Sequence, residues 1–187
     1  MASWCWTVPA LSALLLAGCS GKPPLLAYGM VSDFSLTDQN GNKFSSTALD
    51  NHVWIADFIY TNCPGPCPRM SSQMHEVQTA LAGEDSARFV SFTVDPARDT
   101  PAVLTAYSKH FLADPARWYF LTGDTVTLNH LSFDVFHLSS VDGTLEHSTR
   151  FALVDRRSRI RGYYSSFDKD AIPTLIADAK RLLKERS

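Results

Sequence analysis

Val53 to Tyr60 (VWIADFIY) is an almost unbroken apolar run, rich in β-branched and aromatic residues, as suits a strand buried on both faces. Ala87 to Val94 (ARFVSFTV) repeats the pattern. Between them Met70, Met74, Val77 and Leu81 recur at helical spacing, which predicts a helix from Pro66 or Cys67 to about Ala82. A helix joining two buried strands makes them parallel. Ahead of this unit, Phe34 to Phe44 alternates apolar and polar residues around Asn40-Gly41, a hairpin signal. After it, Asp99-Thr100-Pro101 carries a capping residue and an early proline, opening a helix that ends near Ala113. Trp118 to Leu121 reads as a short strand and Thr122 to Phe133 as a helix. Arg150 to Val154 and Ile160 to Tyr164 form a second hairpin around Asp155 to Arg159. Asp168 to Glu185 is a closing amphipathic helix with basic residues in its last turns, where they suit the helix dipole. The order predicts a single α/β domain, a central mixed sheet flanked by helices with an N-terminal β-hairpin extension.

The residues before Phe34 follow other rules. Ala10 to Ala17 is a short apolar run, too brief to span a bilayer as a helix. Leu16-Ala17-Gly18-Cys19 resembles the bacterial lipobox, in which the cysteine is lipidated and becomes the first residue of the mature chain. The division expected is a signal peptide over 1–18, a lipidated Cys19 with a flexible tether over 19–30, and a domain over 31–187. Met1 to Pro9 holds no Lys or Arg, whereas export signals start basic. An ordinary cleaved signal or a signal anchor are the alternatives, and all three place the domain outside the cytoplasm. Lipidation would fix it to a membrane of the bacterial cell envelope, facing the periplasm.

At 187 residues and 45% hydrophobic, the chain fills one core. A formal net charge of -2 gives no basic footprint for nucleic acid. The one basic stretch, Arg156, Arg157, Arg159 and Arg161, reads as the solvated face of a hairpin. With Cys5 in the signal and Cys19 at the lipid, the domain keeps Cys63 and Cys67 alone, too few for a disulfide scaffold.

That pair lies in Thr61 to Met70 (TNCPGPCPRM), where a central strand meets a helix. Ligands in open α/β sheets gather at the carboxyl ends of strands, and a helix amino terminus favours the thiolate. The thiolate is both nucleophile and metal ligand, so electron exchange and metal binding stay open. Thioredoxin-like reductases place two residues between their cysteines; here Pro64-Gly65-Pro66 makes three. They also carry a cis-proline loop before the later hairpin strand, where this chain reads Leu145 to Phe151 with His147 and no proline. Two thiolates and one imidazole suit Cu(I), while zinc asks for a fourth ligand. His52, His75, His110, His130 and His137 read as surface or core residues.

Asn62 to Pro68 (NCPGPCP), Thr93 to Pro101 (TVDPARDTP) and His147 together resemble the Sco family, also called SenC or PrrC. The resemblance runs from about Phe34 to the final helix. It implies a membrane-tethered thioredoxin-like fold that binds copper through Cys63, Cys67 and His147. It further implies copper delivery to the dinuclear centre of cytochrome c oxidase subunit II or another cuproprotein, with a periplasmic copper donor. The same ligands could hold Cu(I) or Cu(II). Glu146 stands where the family usually has Asp. Asp95 is a candidate for support of the site or for partner docking, against the plainer role of a helix-entry turn for 95–101. The leading alternative is a periplasmic thiol-disulfide reductase using Cys63 and Cys67 on the oxidase subunit or other exported proteins. A thiol peroxidase is weaker, because Tyr60 stands where a peroxidase carries Thr or Ser.

Overall fold

The computed structural model describes Met1 and residues 23–138 and 148–185. Among the described residues eight strands form one mixed sheet, in the order β1 (Gly29–Met30), β8 (Arg159–Ser165), β7 (Arg150–Val154), β4 (Val53–Ile59), β5 (Ala87–Thr93), β6 (Trp118–Thr122), β2 (Ser35–Asp38), β3 (Lys43–Ser45). The two apolar runs are its centre: β4 (Val53–Ile59) and β5 (Ala87–Thr93) pair in parallel from Val53–Ala87 to Ile59–Thr93. β6 (Trp118–Thr122) extends the parallel set beside β5. β7 (Arg150–Val154) pairs antiparallel with β4, and β8 (Arg159–Ser165) antiparallel with β7. The N-terminal hairpin, β2 (Ser35–Asp38) and β3 (Lys43–Ser45), joins the far edge by pairing β2 with β6. Gly41 takes a φ of +81° in its turn, and Asp38 Oδ1 accepts from the Asn40 and Asn42 amides at 2.9 and 2.8 Å.

Two apolar layers cover the sheet, as the expected thioredoxin-like fold requires. On one face α1 (Pro66–Ala80), α2 (Pro101–His110) and α4 (Ala171–Lys184) bury Met70, Met74, Val77, Leu104 and Leu175 against Ile55, Phe89 and Phe120. On the other, α3 (Thr125–Asn129) runs into a π-turn over His130–Val135. This segment packs Leu128, Leu131 and Phe136 against Trp54, Phe58 and Phe92. The helix expected over Thr122 to Phe133 is therefore shorter and ends in a wider turn. Among the described residues no helix is long and apolar enough to cross a membrane.

Residues 23–30, read from sequence as part of a tether, lie against the domain. β1 (Gly29–Met30) pairs antiparallel with β8, and the Arg161 guanidinium donates to the Leu25 and Leu26 carbonyls at 2.6 and 3.1 Å. Arg181 donates to the Pro23 carbonyl at 2.5 Å. Arg161 is only 6% exposed and pairs with buried Asp155 at 2.7 Å, so the basic hairpin is not a uniformly solvated face.

Candidate metal centre

β4 ends at Ile59, and the chain turns through Tyr60, Thr61 and Asn62 into Cys63 before α1 starts at Pro66. Gly65 caps the helix and Pro66 occupies its first turn, where a missing N–H costs nothing. Cys67 therefore sits in the first turn of α1, fully buried, while Cys63 lies just before the helix at 7% exposure. Neither is in a disulfide, and both belong to the core layer of α1 and α4. The i, i+4 spacing thus delivers two sulfurs to one helix entrance.

The two sulfurs are unequal. Burial pushes the Cys63 thiol up, but the hydrogen bonds around its sulfur outweigh this and its pKa falls below the ordinary thiol value. They come from the Cys67 amide and thiol, the Gly65 amide at 3.4 Å and the Tyr60 hydroxyl. Burial drives Cys67 well above its ordinary value, and the charges of Cys63 and Asp57 add to the effect. Cys63 is the sulfur prepared to be a thiolate; Cys67 releases its proton only when something replaces it.

The loop is held from below by a residue that sequence reasoning ranked as part of a turn. Asp99 is 1% exposed, and one of its oxygens accepts the Thr61 hydroxyl at 2.5 Å. The other accepts the Thr61 amide at 3.2 Å and the Thr93 hydroxyl at 2.5 Å. It ties the ends of β4 and β5 to the start of α2, two residues from Cys63. Asp95 forms the expected turn, its carbonyl accepting the Arg98 and Asp99 amides at 3.1 and 2.9 Å. Its carboxylate meets Arg98 at 3.6 Å. The charge of Asp95 still reaches the site, contributing to the raised pKa of Tyr60 behind burial and the Cys63 contact.

The Tyr60 hydroxyl is the aromatic group that reaches the Cys63 sulfur. Phe58 and Phe92 stack at 5.0 Å beneath Phe136 on the opposite face of the sheet, because alternate residues of a strand point to opposite sides. Beneath the cysteines lies instead Asp57, the one acid of β4. It is wholly buried, and neither carboxylate oxygen makes a hydrogen bond of ordinary geometry. Burial raises its pKa from 3.8 to about 7, with the Ser91 hydroxyl pulling the other way. Its signal in the sequence was a single acid inside an apolar run.

His147 lies outside the described residues. Among those described, no group of three or more His, Cys, Asp or Glu side chains could hold a metal ion. Of the other histidines, His110, His130 and His137 are exposed and His52 and His75 half-buried. His130 pairs with Asp134 at 2.9 Å, and His75 meets Gln78 at 3.4 Å.

The sequence model of the SCO1/SenC family matches residues 24–184. The chain belongs to that family. Its fold matches a SCO1/SenC family lipoprotein from Bacillus anthracis at a TM-score of 0.77 and 32% identity, over 84% of this chain and 98% of that one. BsSco, described with a disulfide switch as a member of the Sco family of cytochrome c oxidase assembly proteins, matches at 0.76 and 26% identity, over 88% and 100%. Copper-bound ScoI of Bradyrhizobium japonicum matches at 0.68 and 28% identity, over 82% and 99%. Within the SCO1/SenC fold, the turn that holds Cys63 and Cys67 is built by this chain's Gly65-Pro66 helix start and its Asp99 tie.

Proposed function

We propose that this SCO1/SenC protein is a copper carrier of the cell envelope, anchored through a lipid on Cys19. Cys63 and Cys67 bind Cu(I) as thiolates and His147 supplies the third ligand. The adjacent pair of unequal thiols at the entrance of α1, not joined in a disulfide, carries this reading. Copper is cargo, and loading displaces the Cys67 proton and any proton still on Cys63, so affinity falls on acidification. Cys63 is the sulfur prepared to bind first, and Cys67, deeper in the core, closes the site from inside. With two ligands on one turn and the third in a distant part of the sequence, handover has the histidine leave while the sulfurs keep hold. The recipient is the dinuclear copper centre of cytochrome c oxidase subunit II or another cuproprotein.

Anaerobic Cu(I) titration of the reduced protein against a competing chelator tests this, repeated with Cys63→Ser, Cys67→Ser and His147→Ala. Each cysteine variant loses tight binding, and His147→Ala weakens it. Tight 1:1 binding that survives either serine substitution overturns the carrier reading.

A thiol-disulfide reductase is the second reading, favoured by the same inequality. Cys63 would attack a substrate disulfide and release one substrate thiolate. Cys67 would then displace the other, leaving a Cys63–Cys67 disulfide that cannot hold copper. If His147→Ala leaves copper affinity unchanged and abolishes disulfide reduction, the second reading replaces the first.

A further inference from the structure

The segment that leads out of the lipobox-like cysteine does not leave the domain at an arbitrary point. Cys19 precedes Pro23 by four residues, so a lipid on it lies within about 14 Å of Pro23 by chain length alone. The Pro23 carbonyl is fastened to Arg181 on the C-terminal half of α4. From there the strap crosses to β8, and the Val31 amide donates to the Ser158 carbonyl in the β7–β8 turn at 2.7 Å. Along the strap Leu26, Tyr28 and Met30 alternate outward, with exposures of 68%, 54% and 67%. Met30 stands opposite Arg159, beside exposed Arg157. The Arg156 guanidinium donates to the Leu183 carbonyl at 3.2 Å, which sets this turn against the end of α4 and its exposed Lys180 and Lys184. Arg157, Lys180 and Lys184 form no ion pair among the described residues.

We propose that this surface rests on the membrane: Leu26, Tyr28 and Met30 enter the headgroup layer while Arg157, Lys180 and Lys184 meet anionic lipid. The proposal rests on the lipid attachment at Cys19 put forward above. An apolar and aromatic strip flanked by free cations matches the chemistry of a bilayer interface, and the anchor holds it there. β8 runs parallel to β4, both being antiparallel to β7. The β7–β8 turn therefore lies at the start of β4, where Arg156 also donates to the Asn51 carbonyl at 2.6 Å. Cys63 lies beyond the other end of that strand, about 23 Å of chain away. The thiol pair is thereby turned away from the lipid, at a fixed height above it.

The test is lysine acylation by a water-soluble ester, read by mass spectrometry, on the full chain reconstituted in phosphatidylcholine vesicles with or without phosphatidylglycerol. On the anionic vesicles Lys180 and Lys184 react about fivefold more slowly, and added salt restores their rate. Lys43 at the opposite sheet edge and Lys109 on α2 react alike on both. Arg157→Glu reduces the protection, and Leu26→Ser with Met30→Ser does so without altering copper binding. The mass of the amino-terminal peptide reports separately on Cys19. An acylated Cys19 with unprotected Lys180 and Lys184, or with Lys43 or Lys109 protected instead, overturns the orientation and spares the anchor. An unmodified Cys19 on a chain that stays in the supernatant overturns both.

Discussion

Asp57 is a wholly buried acid on the cysteine face of the sheet, and replacing it with asparagine measures what its ionisation costs. The carboxyl is fully buried, without an ordinary hydrogen bond, and its pKa stands at about 7 in place of 3.8. In the unfolded chain it ionises near its ordinary value, so between the two values the folded state binds one more proton than the unfolded state. Stability then falls as pH rises through this window and levels off above the folded value. At about 1.4 kcal/mol per pKa step, the folded protein gives up about 4 kcal/mol between acid and neutral pH at this one residue. Asparagine keeps the shape and removes the titration. Urea unfolding of the reduced, metal-free protein and of Asp57→Asn, followed by circular dichroism from pH 4 to pH 8, gives the comparison. The variant should match the parent in acid and gain on it by about 4 kcal/mol by pH 8, most of the gain arriving below pH 7. A difference between the two that stays flat across this range refutes the reasoning, because a satisfied or solvated carboxyl would behave so.

Three further outcomes follow from the site and the strap. Iodoacetamide should modify Cys63 at a lower pH than an ordinary thiol and leave Cys67 unreacted in the folded protein, as peptide mapping will show; equal reactivity would remove the asymmetry. Asp99→Ala leaves two threonine hydroxyls and an amide without their buried acceptor, at a cost of about 3 kcal/mol in urea unfolding, and it weakens Cu(I) binding through the loosened turn. An unchanged chelator competition in that variant would make the tie purely structural. Arg161→Ala strips Asp155 of its buried partner and releases the Leu25 and Leu26 carbonyls, costing about 3 kcal/mol. Limited proteolysis should then cut between residues 23 and 31, with the rest of the domain resistant.

What the chain disclosed in advance follows from how each feature is encoded. β4, β5 and α1 were legible because their periodicity is local: a two-sided strand needs an apolar run, and a helix on it needs every third or fourth residue apolar. The cysteine turn was legible because proline and glycine bracket it and helix entry fixes where Cys67 must fall. The strap was not, because β1 is two residues long and is held by Arg161 and Arg181, more than a hundred residues away in sequence. The same arginine that made the hairpin look solvated is the one that pins the strap, since a run of like charges says nothing about which member finds a buried carboxylate.

Asp99 and Asp57 show the same limit at the site itself. Asp99 stood in plain view within a recognisable helix-entry motif, but its partners, Thr61 and Thr93, come from two strand ends that only the parallel pairing of β4 with β5 brings side by side. Asp57 was a single exception in a buried strand, and a buried carboxylate helped only by the Ser91 hydroxyl is unfavourable enough that stability alone does not account for it. It faces the layer that contains Cys63 and Cys67, and its charge acts on Cys67 and on Tyr107. Burial is what chiefly opposes ionisation of the inner sulfur, and the negative charge of Asp57 adds to it, so Cys67 stays protonated. Under the copper-carrier proposal this inequality sets the order of loading: the outer sulfur would bind first, and the inner one would become a ligand as the metal displaces its proton.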